Sequence, residues 1–158
     1  MQKISPFLWF DNNAEEAMNF YLSVFKNSKV IRVAYNSPGA PGPEGVLLVA
    51  TIELEGQQIT LMNGGPGHPL TDALSLMVNC VSQGEVDYYW DGLLAGGGKE
   101  IACGWLKDRF GLYWQVTPVM LPELLGGPDK AKAGRVMQAM MKMVKLDIGA
   151  LKAAADAK

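Results

Sequence analysis

Residues 14–25, Ala-Glu-Glu-Ala-Met-Asn-Phe-Tyr-Leu-Ser-Val-Phe, place Ala17, Phe20, Tyr21, Val24 and Phe25 on one stripe of a helix. The same i, i+3, i+4, i+7, i+8 spacing returns 69 residues later as Val86, Tyr89, Trp90, Leu93 and Leu94. An apolar strand-like run precedes each copy, Phe7-Leu8-Trp9-Phe10 in the first and Leu74-Ser75-Leu76-Met77-Val78 in the second. One structural unit therefore occurs twice, and two such units can set sheets side by side around a pocket.

Working outward, residues 3–10 read as a strand that is apolar on both faces and buried. Asp11-Asn12-Asn13 supplies turn and N-cap residues, with Glu15 and Glu16 in the first helical turn. After the helix come a strand near residues 29–35 and a Pro/Gly-rich loop over 37–45. A hairpin of residues 46–55 and 58–62 around Gly56 completes the copy. Gly64-Gly65-Pro66-Gly67-His68-Pro69 suits neither helix nor strand and reads as a linker. The second copy follows with a strand over 73–80, a helix over 82–94 and short strands over 101–106 and 112–117. These readings set module one at 1–65, a linker at 66–72, module two at 73–119 and a C-terminal helical extension at 120–158. The expected class is α+β: two βαβββ modules forming a curved, cavity-enclosing mixed sheet, with C-terminal helices. In the extension, Pro128-Asp129 starts a helix whose stripe is Val136, Met137, Met140, Met141 and Val144, and a last helix starts at Asp147. That stripe suits either an appendage packed on the sheet or a partner chain, or a Met-rich peptide groove.

The 158 residues are long enough to bury roughly two thirds of the unfolded surface in one domain. With 49% hydrophobic residues and no apolar run near the ~20 residues of a membrane span, no membrane segment is expected. The opening Met-Gln-Lys-Ile-Ser-Pro lacks a basic-then-apolar leader pattern, so the expected location is cytoplasmic. Cys80 and Cys103 form neither a disulfide framework nor a CxxC pair. Residues 120–158 carry seven Lys/Arg against four Asp/Glu, leaving −5 for the remainder; neither part is basic enough for nucleic acid.

Phe7-Leu8-Trp9-Phe10-Asp11, Ala14-Glu15-Glu16-Ala17 and Asn19-Phe20-Tyr21 are joined by Cys103-Gly104-Trp105-Leu106-Lys107-Asp108 and Phe110-Gly111-Leu112-Tyr113-Trp114-Gln115. On these strings the chain resembles the PhnB-like branch of the vicinal oxygen chelate superfamily, also called the glyoxalase, bleomycin resistance and dioxygenase superfamily. The likeness is expected to run through the C-terminal helices. Many members of that branch carry the label demethylubiquinone methyltransferase. No glycine cluster here, however, leads from strand into helix as the usual S-adenosylmethionine site requires.

Metal-dependent relatives place His or Glu ligands on inward strand faces of both modules. Here those strands lack them, and Gln115 stands where a metal-binding relative has Glu, so the resemblance implies no metal centre and no cofactor. Of Tyr113, Gln115 and Thr117 on one side of the last strand and Leu112, Trp114 and Val116 on the other, the polar set is expected to face the cavity. The candidate binding residues are Trp9, Asn63, Cys103, Trp105, Tyr113 and Gln115. Ordinary core packing remains open for Trp9, Trp105 and Trp114. His68, the only histidine, reads either as a solvated loop residue or as a base closing over the cavity. Lys107-Asp108-Arg109 reads either as a turn in which Asp108 holds backbone amides or as a rim that grips an anionic group.

Two functions stand. One is a metal-independent binder of a small aromatic or quinone-like molecule. The other is an enzyme of the same superfamily acting on such a molecule, with Asp, Cys103 or His68 as acid or base, or with a metal held in an unorthodox way. A homodimer is expected, since open sheets leave edges to cover.

Overall fold

The computed structural model describes residues 2–157, which gather into two compact units, 2–70 and 71–157. In the first unit, β1 (Phe7–Phe10), α1 (Ala14–Val24), β2 (Ser28–Tyr35), β3 (Leu47–Leu54) and β4 (Gln57–Asn63) build a four-stranded mixed sheet of order β1-β4-β3-β2. The second unit repeats it with β5 (Ser75–Cys80), α2 (Gln83–Leu94), β6 (Lys99–Glu100), β7 (Trp105–Lys107) and β8 (Tyr113–Pro118), in the order β5-β8-β7-β6. In both, the first strand runs parallel to the last, with Trp9 opposite Met62 and Met77 opposite Gln115. The βαβββ unit therefore occurs twice in an α+β fold.

The amphipathic stripes carry out the burial they foretell. Ala17 and Tyr21 of α1 are buried with Leu8, Phe10, Ala50, Ile52 and Leu61 of the sheet, and Val86, Trp90 and Leu93 of α2 with Val78, Leu106, Trp114 and Val116. Each large apolar side chain so removed from water contributes about 1.5–3 kcal/mol. The β3–β4 hairpin turns on Glu55 and Gly56, both at positive φ (47° and 85°), the geometry of a two-residue loop.

Several elements differ from expectation. β1 starts at Phe7, where Pro6 can lend the sheet only its carbonyl, to the Thr60 amide. It is covered on one face only, with Phe7 58% exposed. Asn13 gives α1 no side-chain cap; Asn63 Oδ1 at the end of β4 accepts from Ala14 N at 2.8 Å instead. Residues 101–106 are not one strand, because Cys103 and Gly104 take φ of 56° and 83° and turn the chain between β6 and β7.

The extension forms α3 (Leu121–Gly126), α4 (Lys130–Met140) and α5 (Ile148–Asp156), the last two capped by Asp129 and Asp147. α4 stops before the expected stripe ends. Only Val136 of that stripe is buried, and it joins Leu121, Leu146, Leu151 and Ala155 in a small core of the extension's own. Met137, Met141 and Val144 are exposed.

Candidate functional site

In the first unit a cleft of about 410 Å³ opens between the 36–46 connection, the ends of β1 and β4, and the start of β3. The connection is a strap with a closed neck: Asn36 N donates to Val46 O at 2.8 Å and Gly45 N to Asn36 O at 3.0 Å. Next to the neck the β2–β3 register shifts between Ala34 and Tyr35, so that Tyr35 pairs with Leu47. Leu47 is fully buried, whereas its neighbour Leu48 lines the cleft. Val46 and Met62 complete the apolar wall, and Asp11, Asn12, Asn36 and Asn63 are the polar lining.

Asn36 is buried; its Nδ2 donates to Pro43 O at 3.1 Å, and its Oδ1 has no partner among the described residues. The strap passes directly over this amide, for a Cβ on Gly42 would stand 2.3 Å from Asn36 Nδ2.

Asn63 lines the cleft, but both ends of its amide are occupied, Oδ1 by Ala14 N and Nδ2 by Leu47 O at 2.9 Å. Its polarity holds helix to sheet. Trp9 sits behind the wall: its Nε1 donates to Gly65 O at 2.8 Å, and its ring lies so close that a Cβ on Gly64 would meet it at 2.3 Å. His68 rests against that ring at 4.2 Å between centroids, so the lone histidine has an aromatic contact in the linker.

In the second unit the cross-strand pairs Trp105 with Gln115, Lys107 with Tyr113, and Ser75 with Tyr113 put these side chains on one face of the sheet. Trp105, Tyr113 and Gln115 thus come together, half-buried, opposite the face that α2 covers. Gln115 Nε2 donates to Ser75 Oγ at 2.9 Å, and Lys107 Nζ lies 5.7 Å from the Tyr113 ring centroid. Cys103 does not join this strand face. Its amide and that of Gly104 donate to Met143 O and Val144 O, both at 2.8 Å, and dock the extension.

Asp108 takes the turn-holding role. Its Oδ1 accepts from Phe110 N at 2.9 Å and Leu112 N at 3.0 Å, and its Oδ2 from the Trp114 indole at 2.8 Å. Trp114 is accordingly a core residue.

Among the described residues no three of His, Cys, Asp or Glu gather as metal ligands. The open face of the second sheet offers amide, hydroxyl, thioether and aromatic groups from Gln115, Ser75, Met77, Tyr113 and Trp105. Such a donor set does not fit a transition-metal centre. Nor does a glycine cluster lead a strand into a helix: Gly64-Gly65 follows β4 into a loop, Gly96-Gly97-Gly98 follows α2, and Gly126-Gly127 closes α3. No helix among the described residues is long and apolar enough to cross a membrane.

The residues missed by sequence reading are Asp11, Asn12, Asn36, Val46, Leu48 and Met62. A usable signal was the unbroken apolar run Val46-Leu47-Leu48-Val49, which breaks strand alternation next to a Pro/Gly loop.

The family model described as 3-demethylubiquinone-9 3-methyltransferase matches residues 2–117. A PhnB protein of Bacillus cereus is 35% identical with a TM-score of 0.68, over 74% of this chain and 99% of its own. Protein PA1353 of Pseudomonas aeruginosa shares the fold at 20% identity and a TM-score of 0.63, over 75% of this chain and 98% of its own. So does the fosfomycin resistance protein FosX of Listeria monocytogenes in complex with Mn(II) and sulfate, at 14% identity and 0.52, over 80% and 97%. No curated protein matches. The family match covers residues 2–117 and does not itself include the C-terminal helices, through which the likeness was expected to run. With the duplicated βαβββ unit and these matches together, the chain belongs to the PhnB-like 3-demethylubiquinone-9 3-methyltransferase family of the vicinal oxygen chelate superfamily.

Proposed function

We propose that this chain binds a small, partly apolar aromatic or quinone-like molecule in the cleft of its first unit, without a metal. The observation that carries the reading is the cleft itself. Its volume of about 410 Å³ lies within the usual range for small-ligand sites. Its lining follows the usual pattern of such sites, an apolar wall of Val46, Leu48 and Met62 with a few amides and a carboxylate. The half-buried Trp105, Tyr113 and Gln115 offer the second sheet as a further ligand-contacting surface.

Thermal-shift titration with catechols, quinols and naphthoquinones tests this, because a ligand that binds only the folded state raises Tm with concentration. Leu48→Asp puts a charge into the apolar wall and should abolish the shift. Trp105→Ala and Gln115→Ala separate the two surfaces: loss of the shift in these variants, with Leu48→Asp unaffected, would move the site to the second sheet. Turnover of a quinol with S-adenosylmethionine would replace binding by catalysis. The exposed Val30, Ile31, Val33 and Tyr35 on edge strand β2 support a homodimer, to be checked by light scattering.

A further inference from the structure

The strap over 36–46 is held down by little. None of residues 37–46 is buried, so its closed position hides no apolar side chain that could pin it. Asn36 N to Val46 O and Gly45 N to Asn36 O tie its ends together, while Ala40 N to Ser37 O and Val46 N to Pro43 O are turns along its own length. Among the described residues one side-chain bond reaches the arch, Asn36 Nδ2 to Pro43 O at 3.1 Å. That clamp works against itself. Drawing the amide under the strap leaves Asn36 7% exposed and its Oδ1 buried with no donor among the described residues. Turning the amide over would only set oxygen against the Pro43 carbonyl. A neutral hydrogen bond contributes less, net, than an unserved buried acceptor costs, so the clamp as a whole does not favour the closed strap. With the strap raised, water serves both ends of the amide.

We infer that the strap is a gate over the cleft, balanced close to opening, and that the buried oxygen of Asn36, not the bond made by its nitrogen, sets how readily it rises. Opening breaks the Asn36–Pro43 clamp and the Gly45–Asn36 bond of the neck and leaves the β2–β3 pairing intact. It also lifts Pro41, Gly42 and Pro43, which are part of the lining, away from Val46, Leu48 and Met62. The use of this opening as an entry route rests on the small-molecule reading of the cleft. The opening itself is read without a ligand, so its failure leaves that reading standing.

The test is residue-resolved hydrogen exchange on the full chain, paired with the rate at which a Glu-specific protease cuts after Glu44 in the strap. The Gly45 amide and the Asn36 side-chain amide should be at least about a hundredfold less protected than the β3 amides bonded within the sheet. Protection of Gly45 equal to that of the sheet amides would make the strap a fixed wall and overturn the gate. Asn36→Leu keeps the shape of the side chain and removes both the bond and the orphaned oxygen. It should slow Gly45 exchange and the Glu44 cut by about threefold to tenfold, the surplus of the relieved acceptor over the lost bond. Asn36→Ala removes both halves of the amide and adds no apolar bulk, so it should leave the two rates no faster, and it carries the comparison if Asn36→Leu fails to fold. Faster exchange or cutting in either variant, or rates unchanged in Asn36→Leu, would overturn the role given to the buried oxygen.

Discussion

Asp108 is 2% exposed and takes three hydrogen bonds at 2.8–3.0 Å, two from backbone amides of its own turn and one from the Trp114 indole. Bonds to a charged acceptor contribute about 1.5–3 kcal/mol each, and three that share one carboxylate are not additive. Asp108→Ala leaves three donors short of an acceptor at about 1–3 kcal/mol each, so with partial relaxation the expected loss is about 3–5 kcal/mol. That is a large share of the 5–15 kcal/mol typical of a folded protein. Asp108→Asn is more discriminating. The amide oxygen can still serve Phe110 and Leu112, but the NH2 then faces the Trp114 N–H donor to donor, at an expected cost of about 1.5–3 kcal/mol. Trp114→Phe removes the opposing donor. It should therefore cost clearly less in the Asp108→Asn background than in the parent, with a coupling of about 1–3 kcal/mol. Urea unfolding followed by far-ultraviolet circular dichroism, with m unchanged across the set, supplies the numbers. Asp108→Asn within about 0.5 kcal/mol of the parent, or a coupling indistinguishable from zero, would refute this role for the carboxylate.

Burial, aided by Glu85, pushes the Cys80 thiol up to about 12, so Ellman's reagent at pH 8 should titrate only the half-buried Cys103 until denaturant is added. Two rapidly reacting thiols would contradict the placement of Cys80. Gly104 has φ 83°, and a Cβ there would stand 2.9 Å from Leu146 Cδ1 and 3.0 Å from Val116 O. Gly104→Ala should thus cost about 1–3 kcal/mol and speed hydrogen exchange at the Cys103 amide; an unchanged Tm would count against it. The Lys145 ammonium, 2.8 Å from Asp87, with Gln83 beside it, holds the Asp87 carboxyl below the usual carboxylate range. A carboxyl with a depressed folded pKa stabilises in full above its unfolded value and loses that contribution as pH falls through the folded one. Protection of the Ile148 amide, which is bonded to Gln83 Oε1, should fall over that acid window once its exchange is corrected for the intrinsic pH dependence, and Lys145→Met should flatten the response.

Both principal helices are legible because their signal is local: five apolar residues at helical spacing suffice, and the sheet partner need only be apolar. The Glu55-Gly56 hairpin and the Asp108 turn are legible for the same reason, as their donors and acceptors lie within a few residues. What escaped reading depends on distance along the chain. The cap of α1 comes from Asn63, 49 residues beyond Ala14, and no local rule distinguishes it from the expected capping residue Asn13. Asn63, expected to contact a ligand, lines the cleft and also joins helix, β3 and β4 through both ends of its amide. Asn36 gave no signal at all, since its burial exists only once the strap has folded back onto it.

The duplication lets the connection that walls the cleft be compared with its counterpart in the second copy. β2 corresponds to β6 and β3 to β7 in the two sheet orders, so the 36–46 strap and the 101–104 turn are the same connection in two versions. In the first unit that connection is long enough to close its own neck and arch over Asn36, leaving space beneath. In the second it is four residues, too short to arch, and the amides of Cys103 and Gly104 reach Met143 and Val144 instead. One copy's connection thus walls a cleft, and the other's anchors the small helical core of Leu121, Val136, Leu146, Leu151 and Ala155. Loop length, not the shared sheet, thus sets what each connection does, and grafting a longer connection into the second unit would have to release the extension from the Cys103 and Gly104 amides.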